Sequence, residues 1–515
     1  MTDFLQFLPG PSVPERFVLT PPDLRPATAE LARDYYNGQY CFVGQTVQAG
    51  HLTPFSVQSP SENWERELHS FRWLRHMAAA PGQLAAAQAK TLVSDWLETS
   101  AKSRKHTITG PNVTSMRLIA LLQYGRFLLT GADHRFYRDL MRTFAVHVAA
   151  LQRARRVTLP PMDEMQVNMA LAIASVSLPV NERVHDKAIK RLAKSLEDYV
   201  FPDGGIVTHN PDDLADVTAD LLALAKSYIA LDRPVPSTIV HGLDRMLPRL
   251  RVLVHADGEL ATFHGSTGTR APLVAALLAS DETTAKATAR APQSGFTSMF
   301  AGDSRLIFDV GAGAPPGDAR YQSTSAFEFS SGSERLFINV GSPPSGNENK
   351  MAIGRGAAAH NRLVFAGVDA VQVDGANAQL KPWPNLASGE IGHFLDYETT
   401  VDELHMSCRR GIRLSKNGTV LDGFDRVLSR TKGPNDLVAD VYFHLMRNAK
   451  VTIPDQGRAV VETAGGQRWV LETDAQKLSV QKSIQLAHPA GLQNIECLTL
   501  SFNGDEVSWR WRKVR

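Results

Sequence analysis

The sequence predicts an α+β protein in which a helical N-terminal half precedes an antiparallel β half. From about residue 28 to 280, apolar residues recur at helical spacing between short turns rich in Pro, Gly and Asp. After about residue 290, short runs of Val, Ile, Phe, Leu and Thr are separated by Gly, Asn and Asp, which indicates an antiparallel β-sandwich. The polar segment 280–295 is the predicted linker. We therefore predict two domains, residues 1–285 and 286–515.

The helical half repeats one kind of amphipathic segment. In "SENWERELHSFRWLRHMAAA", Trp64, Leu68 and Phe71 share one helical face, and Ser61 is placed to cap the start. Because short turns join such segments, successive helices should be antiparallel neighbours. Helix pairs of similar size suggest an (α/α) toroid.

The bulk composition excludes several classes of protein. The chain has 515 residues, and 55 Lys and Arg residues nearly balance 53 Asp and Glu residues, so we expect no nucleic-acid partner. Three separated cysteines argue against a disulfide framework. No run of about eighteen apolar residues predicts a membrane span. The N-terminus, "MTDFLQFLPGPSV", lacks a basic, apolar signal pattern, so a cytoplasmic protein is expected, with the periplasm as the alternative. The sequence does not predict the oligomeric state.

Several segments resemble the heparinase II/III-like family of polysaccharide lyases. In the helical half they are "PSENWERELHSFRWLRHMAA" and "FPDGGIVTHNPDDL"; in the β half they are "SAFEFSSGSERLFINVGSP", "RGAAAHNRLVF", "RRGIRLSKNGTVLDGFDRV" and "YFHL". Their order matches the family over most of the chain. The resemblance implies an (α/α) toroid with a cleft against the sandwich. It also implies β-elimination on a uronate-containing poly- or oligosaccharide.

β-Elimination makes three demands on a site. The uronate carboxylate must be neutralised so that its C5 proton becomes acidic. A base, usually His or Tyr, must remove that proton, and an acid must protonate the leaving oxygen.

Three residues are candidates for the catalytic groups. His360 in "AAAHNR" matches the family's Ala-Ala-His-Asn histidine, and Tyr321 would act as a phenolic base or acid beside Arg320. His209 in "GGIVTHNP" follows the Asp-Gly-Gly turn, where many family members continue into a Tyr-His pair. The structural alternatives are a strand-end histidine bonded to backbone, a tyrosine packed in a sheet and a polar loop residue.

Five residues are candidates for substrate binding: Arg355, Asn361, Asn168, Asn210 and His264. An arginine can hold a uronate carboxylate through two hydrogen bonds, although a lone Arg on a turn is often a surface charge. Asn210 before a proline is also a standard helix cap, and an amide inside an apolar helix such as Asn168 often makes a packing hydrogen bond. His264 in "TFHGS" resembles a family loop that ends in Phe-x-Gly, and a simple turn is its alternative.

The family's metal-binding pattern is incomplete in this chain. Alignment of "SAFEF" on the family's Ser-Phe-Glu strand places Ala319 and Tyr321 where a His-x-His pair is typical, Ser323 at an Asp position and Asn339 at another. Only His360 remains, whereas zinc needs three or four ligands, so we expect no metal. We also expect no cofactor, because the Gly-rich stretch "GAGAPPGDA" contains prolines and lacks the residues of a phosphate loop.

Three functions remain open at this point. The first is a lyase acting on a uronate-containing glycan. The second is a catalytically degenerate relative that binds glycan or has a structural role. The third is a hydrolase with a pair of carboxylates, for which Asp203, Asp212 and Asp213 are available.

Overall fold

The structure is a computed structural model that forms two compact units. It describes residues 13–100, 103, 105–268, 270–281, 288–311, 321–365, 371–401, 404–430 and 438–514. The first unit is Met1–Val200 with Val217–Leu243, and the second is Phe201–Asp216 with Asp244–Arg515. The domain boundary at residues 285 and 286 stays a prediction. Ala319 and Arg320 lie outside the described residues.

Helices dominate the N-terminal half of the chain, as the periodicity predicts. They are α1 (Ala29–Tyr36), α2 (Glu62–Ser70), α3 (Leu74–Ala79), α4 (Gln83–Thr99), α5 (His106–Thr109), α6 (Pro111–Gln123), α7 (Gly125–Leu129), α8 (His134–Ala154), α9 (Pro161–Ser177), α10 (Glu182–Tyr199), α11 (Pro211–Ala230), α12 (Ser237–Val252), α13 (Ala271–Ala279) and, later in the chain, α14 (Glu348–Arg355). Within the described residues, none of these helices is both long and apolar enough to cross a membrane.

The segment predicted as one helix from Ser61 onwards is two helices, α2 and α3. The predicted cap is confirmed, because the Ser61 hydroxyl accepts a hydrogen bond from the Trp64 amide at 3.2 Å. The break falls at Phe71, whose φ of 61° is left-handed and ends α2. Phe71 is buried edge-on against Trp73 and Trp96, with ring centroids 5.5 and 5.2 Å away. This aromatic packing overrides the helical period.

The C-terminal half is built from strands, as predicted. The strands are β1 (Gln39–Phe42) and β2 (Gln45–Gln48) in the first unit, then β3 (Arg290–Ala291), β4 (Phe296–Ala301), β5 (Ser304–Asp309), β6 (Phe327–Ser331), β7 (Glu334–Phe337), β8 (Leu363–Phe365), β9 (Val371–Pro382), β10 (Ile391–Val401), β11 (Leu404–Leu414), β12 (Val420–Arg430), β13 (Ala439–His444), β14 (Lys450–Asp455), β15 (Arg458–Glu462), β16 (Arg468–Thr473), β17 (Lys477–Gln485), β18 (Gln493–Phe502) and β19 (Glu506–Val514).

Three antiparallel sheets organise the second unit. Their strand orders are β3-β4-β5-β6-β7, β17-β18-β13-β8 and β14-β15-β16-β19-β12-β11-β10-β9. The three sheets share one core in which aromatic side chains meet. Phe337 lies 4.9 Å from Trp511, and Phe443 lies 5.2 Å from Trp509, between ring centroids. Each such pair adds about 0.5–1.5 kcal/mol beyond the burial of its area.

Glu328 on β6, the glutamate of the Ser-Phe-Glu motif, is a buried anchor of this unit. Its carboxylate accepts hydrogen bonds from the Thr262 amide at 3.0 Å and the Asn339 amide at 2.7 Å. The His255 ring lies 3.0 Å away on the same carboxylate. Because His255 and Thr262 lie in the loop after α12 and Asn339 follows β7, Glu328 fixes that loop beside the end of β7. That loop bears His264.

Candidate functional site

Two polar turns and the start of a strand meet in the second unit. His209 and Asn210 precede α11, His264 lies in the loop between α12 and α13, and Tyr321 lies ahead of β6. The Asn210 side-chain oxygen accepts a hydrogen bond from the Asp212 amide at 2.9 Å, so its predicted capping role is confirmed. Capping holds Asn210 and leaves its Nδ2 group for other contacts.

The aromatic rings of this site are in contact with one another. The ring centroids of His209 and His264 are 5.6 Å apart, and those of His264 and Tyr321 are 6.2 Å apart. The Nδ1 atom of His209 lies 3.1 Å from the Ser294 carbonyl oxygen. Three candidates from separate sequence motifs therefore lie side by side.

Both histidines are held in an unusual backbone conformation. His209 has a φ of 56° and His264 has a φ of 47°, in the left-handed region that favours glycine. Such a residue costs roughly 1–2 kcal/mol. Strain of this kind concentrates at functional sites, because the surrounding structure must hold it for a purpose other than stability.

A buried carboxylate fixes the His264 ring. The Nε2 atom of His264 lies 3.1 Å from the Oδ2 atom of Asp309, at the end of β5. The Ser323 hydroxyl donates to the same carboxylate at 2.6 Å. Burial alone would raise the pKa of Asp309, but His264, Ser323 and the Gly311 amide together lower it below its usual value. Asp309 is therefore an anion that orients the ring.

Gly265 leaves space for two polar groups to face each other. A Cβ atom at this position would lie 2.9 Å from the Tyr321 hydroxyl and 3.4 Å from the Asn210 Nδ2 atom. The Tyr321 hydroxyl also lies 2.9 Å from the Ser342 hydroxyl. We call His209, Asn210, His264, Asp309 and Tyr321 the histidine–tyrosine cluster.

Arg355, at the end of α14, supplies positive charge beside this cluster. Its guanidinium lies 2.5 Å from the Glu348 carboxylate, and Glu348 first, then Tyr321, raises the pKa of Arg355. The Gln322 amide donates to the Arg355 carbonyl at 2.9 Å, which ties α14 to the segment containing Tyr321. Arg355 thus lies beside Tyr321, whereas Arg320, the neighbour expected from the sequence, is outside the described residues.

His360 is buried behind the cluster. Burial, followed by the charges of Arg362 and then His264, lowers the pKa of His360 to about 3, so its ring is neutral near pH 7. Neither ring nitrogen has a hydrogen-bond partner among the described residues. His360 is 1% exposed, so direct contact with a large glycan needs local opening. Its predicted catalytic role stays a prediction.

Asn361 and Asn339 make hydrogen bonds inside the sheets. The Asn361 Nδ2 group donates to the carbonyls of Phe327 and Ile338 at 2.9 and 3.0 Å, and its Oδ1 accepts from the His444 amide at 2.6 Å. The Asn339 Oδ1 atom accepts from the Asn361 amide at 3.0 Å. Because its amide group is fully used, the geometry favours a structural role for Asn361.

Asn168 belongs to the first unit, whereas the histidine–tyrosine cluster belongs to the second. It lies on α9, is 4% exposed and donates from Nδ2 to the Ser195 hydroxyl at 2.8 Å. Its role in substrate binding stays a prediction.

Two of the three carboxylates in the hydrolase hypothesis accept hydrogen bonds that hold turns together. Asp203 accepts hydrogen bonds from the Ser294 amide and hydroxyl at 2.9 and 3.0 Å. Asp212 accepts from the Thr267 amide and hydroxyl at 2.8 and 2.7 Å. Burial raises the pKa of Asp213 to about 6, but no second free carboxylate is seen facing it in the described part of the chain. This geometry does not favour a hydrolase.

One group of potential metal ligands is found in the described residues, on α10. It comprises Glu182, His185 and Asp186. The two His185 ring nitrogens lie 3.1 Å from the Ser175 hydroxyl and 3.0 Å from the Tyr228 hydroxyl, so both are already engaged. The arrangement gives no support for a metal, and the expectation that none binds stays a prediction.

Comparisons with known proteins agree with this fold. Residues 283–512 match the family described as heparinase II/III-like, C-terminal. A crystal structure of heparinase III superposes with a TM-score of 0.68 at 13% identity, covering 91% of this chain and 80% of that one. The heparan sulfate lyase HepC from Pedobacter heparinus gives a TM-score of 0.59 at 13% identity, covering 98% of this chain and 86% of that one.

Another relative is named for its location in the cell and not for an enzymatic activity. FtsZ-localized protein C of Caulobacter vibrioides is 26% identical over 532 residues, covering 97% of this chain and 91% of that protein. The fold is that of the heparinase class of polysaccharide lyases. The resemblance to the heparinase II/III-like family that the sequence predicts is therefore confirmed over residues 283–512.

Sequence motifs missed two residues of the site. Asp309 follows the apolar run "RLIFDVG", and a carboxylate at the end of a buried strand was its one available signal. Ser342 comes directly after "INVG" and has no signal of its own. Both reach the site only through sheet pairing.

Proposed function

We propose that the protein cleaves a uronate-containing poly- or oligosaccharide by β-elimination at the histidine–tyrosine cluster. The observation that supports this best is that His264, fixed by Asp309, contacts Tyr321, while the Tyr321 hydroxyl and the Asn210 amide face each other across Gly265. An acid, a base and a carboxylate-binding amide are thereby within reach of one sugar ring.

Asn210 and Arg355 are the groups that neutralise the uronate. An amide N–H and a guanidinium both donate to a carboxylate, and their bonds strengthen as charge moves onto it in the enolate-like transition state. The C5 proton then becomes acidic enough for a base to remove.

Tyr321 and His264 divide the proton transfers. The Tyr321 oxygen takes the C5 proton, the electron pair forms the C4–C5 double bond, and the C4–O bond breaks. His264 protonates the leaving oxygen. Its Nε2 atom is turned to Asp309, and its Nδ1 atom has no hydrogen-bond partner among the described residues, so Nδ1 is the proton donor.

A further part of the proposal concerns the arrangement of the helices and sheets. We propose that the helices close into an (α/α) toroid and that the sheets of the second unit form a β-sandwich. The support is the superposition on heparinase III over 91% of this chain. We also propose a cytoplasmic protein, in which the substrate is an imported or intracellular oligosaccharide. The support for this is a relative that is named for its localisation with FtsZ.

A non-enzymatic role at sites of FtsZ assembly is the second candidate. It is favoured by the relative that matches 97% of this chain and is named for its localisation with FtsZ. The Ala319, Ser323 and Asn339 replacements in the family's metal pattern agree with lost chemistry. In this case the cluster binds glycan without cleaving it.

The two candidates are separated by incubating the protein with a panel of uronic-acid polymers and oligomers. The lyase predicts growing ultraviolet absorbance from an unsaturated uronate, abolished in Tyr321→Phe and kept in Tyr442→Phe, a half-buried tyrosine of β13. Glycan binding by calorimetry with no absorbance on any substrate favours the second candidate. If the protein produces no absorbance and binds no glycan, both proposed roles of the cluster are overturned.

A further inference from the structure

A cavity of about 710 Å³ opens between α8, α9 and α10 of the first unit. Its lining combines polar side chains with apolar ones, and the apolar ones include Val148 and Ala149 of α8, Leu171 and Ala174 of α9, and Ala188 of α10. This volume is in the range of ligand-binding sites. The apolar part of the lining is suited to apolar groups of a ligand.

Two arginines meet at the edge of the cavity without a counterion. Arg155 and Arg191 both line it, and neither forms an ion pair within the described residues. Burial, and after it the charge of Arg191, lowers the pKa of Arg155. Glu164 acts in the opposite direction and raises the pKa of Arg155, but it lies beyond ion-pair distance. Its carboxylate instead accepts a hydrogen bond from Tyr199 at 2.7 Å. The edge is therefore an electropositive position that an anion would stabilise.

The positive charge continues along α10 beyond the cavity. A second hollow of about 570 Å³ is bordered by five cations and one acid: Arg183, Asp186, Lys187, Lys190, Arg191 and Lys194. Lys187 and Arg191 border both hollows, so the two lie next to each other. Lys194 is partly neutralised by Asp198 at 3.0 Å. From Arg183 to Lys194 the row extends about 16 Å, because a helix rises about 1.5 Å per residue.

An unpaired acceptor lies in the wall of the cavity. Asn168 is 4% exposed, and its Oδ1 atom has no hydrogen-bond partner among the described residues. A buried acceptor left unsatisfied costs about 1–3 kcal/mol. A ligand that brings an N–H group into the cavity would recover this free energy. Asn168 is thus a second observation, independent of charge, that points to a ligand.

We propose that α8, α9 and α10 bind an acidic peptide segment of another protein. Its apolar side chains enter the cavity, a backbone N–H donates to Asn168, and its carboxylates pair with the cations along α10. About five residues of extended peptide cover 16 Å, at about 3.3 Å each. A small anion would reach only the edge, and a polysaccharide would leave the apolar part of the lining without a matching group. This inference does not depend on the proposed lyase activity.

The test starts with a random peptide library displayed on phage and selected against the full chain. The proposal predicts enriched sequences with Asp or Glu flanking Leu, Ile or Phe. A fluorescent copy of an enriched peptide should lose at least tenfold in affinity for the Arg155→Glu, Arg191→Glu double variant, which reverses two charges. Ala188→Phe, which fills the cavity without a charge change, should weaken binding as well. Raised salt should weaken binding to the unaltered protein.

The matched control is the Lys450→Glu, Lys482→Glu double variant, which reverses two exposed charges in the second unit. It should bind the peptide like the unaltered protein. Circular dichroism and melting midpoints establish whether each variant is folded. If Ala188→Phe does not fold, the charge variants alone test the proposal. No enrichment, enrichment of neutral or basic peptides, or equal binding by all variants would overturn it. Displacement of the peptide by anionic vesicles or uronate oligosaccharides at lower concentration would assign the surface to a membrane or a glycan instead.

Discussion

The His264 ring and the Asp309 carboxylate form a hydrogen-bonded pair, with Nε2 3.1 Å from Oδ2. The side chain of Asp309 is 1% exposed and that of His264 is 11% exposed, and the Nδ1 atom of His264, unpaired among the described residues, is itself buried, so a leaving group reaches Nδ1 only after a local opening. When the ring carries two protons, Nε2–H donates to Asp309 and Nδ1–H is available to a leaving group. An orienting carboxylate behind an imidazole is a recurrent arrangement for acid–base catalysis.

Asp309→Asn should reduce lyase turnover at least tenfold. The amide keeps the size of the side chain but removes the charge that fixes the ring. Asp309 is a positioning residue, so the pH profile of turnover should change shape as well as height. Asp440→Asn, at another buried carboxylate of the unit, is the control and should leave the profile unchanged. Equal losses in the two variants would assign Asp309 to stability.

Tyr321→Phe should lower turnover at least a hundredfold, to below what the absorbance assay detects, since one positioned acid or base typically contributes that much or more. The substrate affinity should change little, because the phenyl ring still packs on His264 at a centroid distance of 6.2 Å. The assay is the initial rate of ultraviolet absorbance over a range of substrate concentrations. A full rate in Tyr321→Phe would remove the tyrosine from the mechanism.

Gly265→Ala should impair activity more than stability. The added methyl would lie 2.9 Å from the Tyr321 hydroxyl, which is closer than a methyl group tolerates, and 3.4 Å from the Asn210 amide, so the tyrosine would have to move. Gly466→Ala is a matched control, because its φ of +89° resembles the +96° of Gly265 and nothing lies within 4 Å of its Cβ position. Both variants should lose about 1 kcal/mol from backbone strain. Only Gly265→Ala should lose activity.

Four of the five residues of the histidine–tyrosine cluster were candidates on sequence grounds, and Asp309 was not. His209, Asn210, His264 and Tyr321 come from three separate segments, and the family resemblance was the reason to consider them together. Their joint position depends on long-range sheet pairing, which local spacing does not encode. Asp309 and Ser342 were missed for that reason, since no motif singled out either side chain.

Local sequence patterns predicted which segments are helices or strands more reliably than where each of them ends. The Ser61 and Asn210 caps are confirmed because each depends on a bond within three residues. The break at Phe71 was not predicted, because it depends on contact with Trp96 far along the chain. Asn361 shows the same limit from the other side, since a family motif made it a substrate candidate while its contacts are internal.

Asn361→Ala should lower the free energy of unfolding by about 3 kcal/mol. The substitution leaves two carbonyls and one amide without their partner inside the sheets. Urea unfolding followed by tryptophan fluorescence measures the change. A fully stable Asn361→Ala protein with weakened glycan binding would instead support the substrate role.

Stability should fall between pH 7 and pH 5, and His444 should account for part of the loss. Burial lowers the pKa of His444 to about 4, against about 6.5 in the unfolded chain. The unfolded state therefore binds the proton first as the pH falls, which costs about 2 kcal/mol at pH 5. His444→Gln should reduce the difference in unfolding free energy between the two pH values by this amount. His134→Gln, at an exposed histidine, should not.

Cleavage of a uronate oligosaccharide in water enriched in the heavy oxygen isotope tests the central claim most directly. β-Elimination breaks the C4–O bond without adding water, so mass spectrometry should find an unsaturated product and no heavy oxygen at the cleaved linkage. The product should disappear with Tyr321→Phe and remain with Tyr442→Phe. Heavy oxygen in the new ends would identify a hydrolase, and intact substrate across the whole panel would contradict the assignment of lyase chemistry to the histidine–tyrosine cluster.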